Sequence, residues 1–327
     1  MAKGKSTNGL MEHMRERHNI KISGDSSRRD LLNMGYYHGY KAYRFVRGKE
    51  NRLEITEFSQ VKAVYDFDLG LKTLFFPTLI RMGTALKNRV LDYIVSDNSI
   101  EIEVIYNDML NDFSAKKPGT GKYKEKVKKK LNFRAKMDGT IAYYYGNGNP
   151  SIQHFFHNNK PVPIWAYFEV ITLGEFGNFI NCLTCDDRIG ILRDFGINHS
   201  GLNQNGRVLE NIVFAINALR NATMHNSVIF DCRFNNQNYS KQIKTYLEVQ
   251  TGISDIKFES AIDFFILLMY LEKNIGISKV ELRKTIKAFN RLKEKLYKNI
   301  PGEPYFEILG SDIRKKTLDL ENYIELY

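Results

Sequence analysis

Apolar residues in this chain recur at helical spacing. Between Phe58 and Val95, the residues Leu71, Leu74, Phe75, Leu79, Met82, Leu86, Val90 and Ile94 make one broad stripe, with Arg81, Lys87, Asn88 and Arg89 on the other face. This predicts a core helix with a polar back, and Pro77 inside it predicts a kink or two abutting helices. The clearest helix covers 206–225, where Val208, Ile212, Ala215 and Leu219 form the core stripe and Val213 and Ile216 widen it. A short helix is expected from Gly9 to His18, then a Ser-Gly-Asp-Ser-Ser turn in which Ser26 or Ser27 caps a helix over 28–34. A helix from Ile164 to about Leu173 turns into another, and further helices cover roughly 254–274 and 277–298, the last ended by Pro301-Gly302. Trp165, the only tryptophan, reads as a core anchor, while 146–150 and 158–163 read as loops.

The expected fold class is therefore mostly α. Residues 1–57 form an N-terminal helical and aromatic extension, 58–298 a helical domain carrying a basic insertion at about 114–148, and 299–327 a tail of undetermined structure. No repeat of solenoid period is present.

Composition narrows the partners. With 327 residues, 43% apolar and 13% aromatic, the chain can bury a real core. A formal charge of +11 favours a polyanion, nucleic acid ahead of an anionic membrane. Residues 1–20 lack the apolar segment of a signal peptide, and the longest apolar run, Phe264 to Leu271, is too short to span a bilayer. The cytosol is the default. Three cysteines, Cys182, Cys185 and Cys232, exclude a disulfide framework. Cys182 and Cys185 have CxxC spacing, but only Cys232 and His199 could complete a metal site, so these read as ordinary reduced thiols and no metal or other cofactor is expected.

Two segments suit phosphate or base contact. Nine lysines and Arg134 fall between Lys116 and Lys136, among them Lys122, Lys124, Lys128, Lys129 and Lys130; this is either a mobile RNA-contacting insertion or a solvated charge run. The glycines of 119–121 do not make a nucleotide-binding loop, because Lys116 stands where a glycine is needed and Tyr123 where a Ser or Thr would hold magnesium. Between Gly35 and Phe45 aromatics and cations interleave, and Tyr36, Tyr37, Tyr40, Lys41 and Arg44 could stack bases and meet phosphates or form a tyrosine-rich packing element.

The most informative stretch is Leu219-Arg220-Asn221-Ala222-Thr223-Met224-His225-Asn226. Arginine can hold a phosphate by its planar fork, histidine can move a proton near neutral pH, and asparagine can orient either. Five residues apart on an ideal helix, Arg220 and His225 point about 140° away from each other. They converge only if the helix ends between them, which Thr223 and a capping Asn226 permit, or if a twofold-related copy supplies the second group. The structural alternative is that both residues merely complement the helix dipole.

The run Arg220-Asn221-x-x-x-His225 resembles the R-x(4–6)-H signature of HEPN ribonucleases, in which a polar residue usually follows the arginine. Three further segments are similar to the abortive-infection (Abi) family of bacterial phage-defence proteins, AbiD/AbiF type. They are Leu31 to Tyr40, with its Tyr36-Tyr37-His38-Gly39-Tyr40 core; Tyr65-Asp66-Phe67-Asp68 leading into Leu79 to Lys87; and Pro163-Ile164-Trp165 with Glu169-Val170 and Gly174-Glu175-Phe176. The blocks fall in the family's order over about 30–230. His38 stands where arginine is common, and Gly83 where many relatives carry glutamate. The resemblance implies a HEPN-like helical bundle and metal-independent endoribonuclease chemistry with Arg220 and His225 catalytic and Asn221 supporting them. It implies attack of an RNA 2′-hydroxyl on the adjacent phosphate, a homodimer with facing motifs, and a toxin restrained by a small non-coding RNA antitoxin. The alternative is a non-catalytic RNA-binding module or regulator in which the Arg/His motif is structural.

Overall fold

The computed structural model describes residues 4–96, 99–197, 203–235 and 241–326. Fifteen α-helices follow in order: α1 Thr7–His18, α2 Gly24–Met34, α3 Phe58–Ser96, α4 Ile102–Asp108, α5 Gly121–Gly146, α6 Pro150–His157, α7 Ile164–Val170, α8 Leu173–Cys182, α9 Cys185–Asp194, α10 Arg207–Met224, α11 Lys241–Thr251, α12 Ala261–Asn274, α13 Lys279–Asn299, α14 Gly302–Leu309 and α15 Ile313–Glu325. A π-helical turn, Tyr36–Lys41, follows α2. Among the described residues there are isolated β-bridges but no strand, so the mostly α expectation holds. No helix among them is long and apolar enough to cross a membrane.

Two compact units form. The first comprises Met1–Leu79, Ala218–Asn238 and Leu247–Tyr327, and the second Ile80–Asn217 and Tyr239–Tyr246. In the first, α12 is the central element. Every residue from Ala261 to Glu272 is buried, as expected of a helix apolar on all sides that packs against α13 and α15. Its polar residues are paired: Asp263 lies 2.8 Å from Lys316 of α15, and Glu272 accepts from the Thr78 hydroxyl at 3.0 Å. Asp263 also accepts the backbone N–H groups of Lys257 and Phe258, which holds 254–260 out of the helix predicted there. The helix α11 and the ordered tail helices α14 and α15 were not predicted by the apolar pattern.

In the second unit the basic segment is a framework element. Helix α5 buries Phe133, Met137 and Thr140 and packs chiefly on α8. Asp112 is its buried polar centre, receiving Arg188 at 3.0 Å, Arg207 at 2.7 Å and Lys126 at 2.8 Å. Burial opposes ionisation of that carboxyl, but the three cations outweigh it and hold it near 2.

Three local expectations are corrected. Of the kink or two abutting helices expected at Pro77, the two helices are excluded, because α3 runs through it as one element; Pro77 and Thr73, whose carbonyl it orphans, are both exposed, so water can satisfy that group. Helix α2 starts at Gly24, which places Ser26 and Ser27 inside it. Trp165 is 42% exposed and is not a core anchor. The inward row of α7 is Ile164, Tyr167 and Phe168, continued by Ile171 just past its end, so the neighbouring indole is left to pack edge-on against Phe155 at 5.4 Å.

Candidate functional site

Helix α10 carries Arg220 and Asn221 in its last turns and ends at Met224. The stop is local. Thr223 turns its hydroxyl back onto the Leu219 carbonyl, and Asn226 takes up the left-handed conformation with φ 53°. Ser227 N–H bonds the Ala222 carbonyl at 2.8 Å and Asn226 N–H the Thr223 carbonyl at 3.3 Å, the paired bonds of a Schellman turn. His225 is the capping residue, still donating its backbone N–H to Asn221 O at 3.0 Å, and its imidazole is exposed.

Arg220 is half-buried. Its Nη1 donates to Asn221 Oδ1 at 3.3 Å, and it forms no ion pair among the described residues. An arginine with its stem packed and its fork without a carboxylate is arranged to receive an anion. Arg220 and His225 share no hydrogen bond, because the helix persists through Met224 and keeps them on different faces. Within one chain the structure therefore brings Arg220 and Asn221 together and leaves His225 apart.

The turn that presents His225 is fastened by two side chains, Lys72 and His38, that sequence spacing does not single out. Lys72 Nζ of α3 donates to Asn226 Oδ1 at 2.8 Å, and His38 Nε2 lies 2.8 Å from the Asn226 carbonyl. A carbonyl can only accept, so the proton sits on Nε2. His38 thus supplies one N–H donor to the turn.

Beneath the turn lies Asp68, fully buried. Its Oδ1 accepts the backbone N–H groups of Ile229 at 2.8 Å and Phe230 at 2.7 Å, while Oδ2 accepts the Tyr43 hydroxyl and Lys72 Nζ, each at 2.7 Å. Burial, then the neighbouring Asp68 charge and hydrogen bond, push the Tyr43 phenol far above its ordinary value, so it stays a donor. A second anchor follows: Arg233 pairs with buried Asp231 and donates to the carbonyls of Ala42 at 2.9 Å and Phe45 at 2.7 Å. The tyrosine block and the Tyr65–Asp68 block are thus the platform of the Arg/His motif. The available signal was an aspartate, Asp68, within the apolar periodicity of α3.

The remaining predicted contacts divide. Tyr36, Tyr40 and Arg44 are buried, Tyr36 and Tyr40 stacked with His18 and the Arg44 guanidinium 5.0 Å above the Tyr40 ring, so they serve as a packing element. Tyr37 is exposed with Lys41 Nζ 4.7 Å from its ring centre, and these two remain open to a ligand. On α5, Lys122, Lys124 and Lys128 are exposed, Lys129 pairs with Glu125 at 3.0 Å, and Lys130 is held by Asn111 at 2.8 Å and over the Tyr106 ring. Gly83 lies in the second unit, 3.6 Å from Leu173 at the place a Cβ would take.

Cys182 and Cys232 are buried; burial, then the Asp112 charge, pushes the Cys182 thiol up to about 11. Among the described residues no group of three His, Cys, Asp or Glu side chains is gathered to hold a metal ion, and His199 lies outside them.

No curated protein and no solved structure matches this chain. A family model described as Abi-like protein matches residues 29–231, which takes in the tyrosine block, Asp68, Arg220, His225 and Asp231. That match spans more than half of the sequence, and the chain belongs to the Abi-like protein family.

Proposed function

We propose that this chain is a cytosolic, metal-independent HEPN-type endoribonuclease that acts as a growth-arresting toxin in phage defence by abortive infection. The observation that carries this reading is the half-buried Arg220 fork, hydrogen-bonded to Asn221 and without a carboxylate partner among the described residues, with an exposed His225 on a turn fastened by Lys72 and His38. Membership of the Abi-like family supports the defence role, and the +11 charge suits RNA both as substrate and as a small non-coding antitoxin.

In the proposed reaction an RNA 2′-oxygen bonds to the adjacent phosphorus and the bond to the 5′-oxygen breaks, giving a 2′,3′-cyclic phosphate and a 5′-hydroxyl. His225 moves one of the two protons, from the attacking or to the leaving oxygen, while Arg220 offsets the charge gathering on the phosphate oxygens. Because Arg220 and His225 stay on different helix faces of one chain, the reading includes a homodimer in which two helix ends face each other and complete the site.

The test is cleavage of labelled RNA by purified protein, with product ends analysed and binding measured alongside. Arg220→Ala and His225→Ala should abolish the cyclic-phosphate product yet bind RNA within a few-fold of wild type. If both variants cleave as wild type, or if wild type binds RNA without cutting it, the non-catalytic binding module replaces the enzyme.

A further inference from the structure

Helix α13 carries a second cationic feature, outside the matched residues 29–231. Its apolar side is already committed: Leu282, Ile286, Phe289 and Leu296 are buried in the first unit. On the outside, Lys284, Lys287, Arg291, Lys295 and Lys298 are all exposed and follow each other at three- or four-residue spacing. At about 100° and 1.5 Å per residue, they share roughly 80° of helix surface and form a line about 21 Å long.

Other cations on the same helix are engaged, Arg283 and Lys279 with Glu325, and Lys293 with the Thr317 hydroxyl. The side chains of the five stripe residues form no ion pair or hydrogen bond among the described residues, and the bordering Glu294 pairs with none of them. Solvated helix faces are usually laced with both signs, and like charges three or four residues apart disfavour the helix. A line of unpaired cations is therefore matched to a line of phosphates. A membrane fits less well, because no apolar face of α13 is left to enter it. Beside Lys295 opens a cleft of about 350 Å³, lined by apolar Phe58 and Leu292 and by polar Ser27, Asp30, Asp66 and Asn299. Apolar and hydrogen-bonding groups lining one cleft suit one unstacked base.

We propose that the exposed stripe of α13 and its adjoining cleft bind single-stranded RNA, phosphates along the cations and a base in the cleft. The choice of RNA rests on the ribonuclease reading; the surface does not involve Arg220 or His225. The experiment is fluorescence anisotropy of a labelled single-stranded RNA of about 20 nucleotides against the full chain carrying His225→Ala, over a range of salt, the length chosen to exceed one groove site. A stripe variant, Lys287→Gln with Arg291→Gln and Lys295→Gln, is compared with Lys5→Gln, Arg17→Gln and Lys49→Gln, which removes as much charge from scattered exposed positions.

The stripe variant should weaken binding about ten-fold or more and lower the slope of log K against log salt by about 2, at about 0.7 per lost phosphate contact. The scattered variant should change affinity under about three-fold. Equal losses in the two variants, or an unchanged salt slope in the stripe variant, overturn the proposal. So does a duplex of the same length binding as tightly as the single strand, or loss of anionic phosphatidylserine-vesicle binding with RNA binding intact. Absence of cleavage by the protein with His225 intact would end the ribonuclease reading and leave this binding result standing.

Discussion

Replacing Asp68 by asparagine keeps the side-chain shape and removes the charge on which four donors converge. The amide oxygen can still accept the two backbone N–H groups of Ile229 and Phe230. The amide nitrogen then faces Lys72, an ammonium that can only donate, in a place where Lys72 is 7% exposed. Breaking a buried pair by removing one partner costs about 3–5 kcal/mol. Lys72 keeps its bond to Asn226, so the lower end, about 3 kcal/mol, is expected for Asp68→Asn. Lys72→Met leaves Asp68 with three donors and should cost less, about 2 kcal/mol. The double variant buries no uncompensated charge, so it should be more stable than the sum of the singles by about 1.5 kcal/mol or more. Urea unfolding followed by far-ultraviolet circular dichroism measures all four proteins. Asp68→Asn within about 1 kcal/mol of wild type, or a strictly additive double variant, would refute the platform built on this carboxylate.

The remaining predictions are quick to check. Burial, with Arg44, His13, Lys41 and Arg52 around it, holds the His18 imidazole down at about 4 from an ordinary 6.5. The unfolded chain therefore takes up a proton there first, so this stability is intact above about 6.5 and declines as pH falls toward about 4. Melting temperatures between those limits should drop more steeply for wild type than for His18→Gln, and parallel curves would contradict the assignment. Gly39→Ala would set a Cβ 2.3 Å from the Met34 carbonyl oxygen, a backbone atom, and should cost about 2 kcal/mol or more in the same unfolding assay. Trp165 fluorescence should be readily quenched by acrylamide in the folded protein, whereas a shielded emission would return the indole to the core.

Long stripes are what the sequence makes legible. Helices α3 and α10 follow from apolar rows that run for many turns, and the Arg220–His225 motif is visible because its chemistry is contiguous. Short helices are less informative: nothing in α7 says that Ile164 rather than Trp165 faces inward, because both are apolar and the helix is seven residues long. Charge hides structure in two places. In α5, Phe133, Met137 and Thr140 keep helical spacing among the lysines, and in α15 the inward row of Ile313, Thr317, Leu320 and Ile324 is broken by Lys316. Buried Lys316 is met by Asp263, 53 positions earlier, as well as by Asp312 on its own helix. The same holds at the candidate site. Asp68 and Lys72 are tied to a turn more than 150 residues later, and pairing over that distance leaves no periodic trace in one sequence.

Inducible expression of wild type and His225→Ala in a bacterial host, following growth and total RNA together, decides whether Arg220, Asn221 and His225 make a ribonuclease site. The account predicts growth arrest with fragmented RNA for wild type, and normal growth with intact RNA for His225→Ala. Arrest by both variants, or arrest by wild type with intact RNA, would contradict it and move the function away from Arg220, Asn221 and His225.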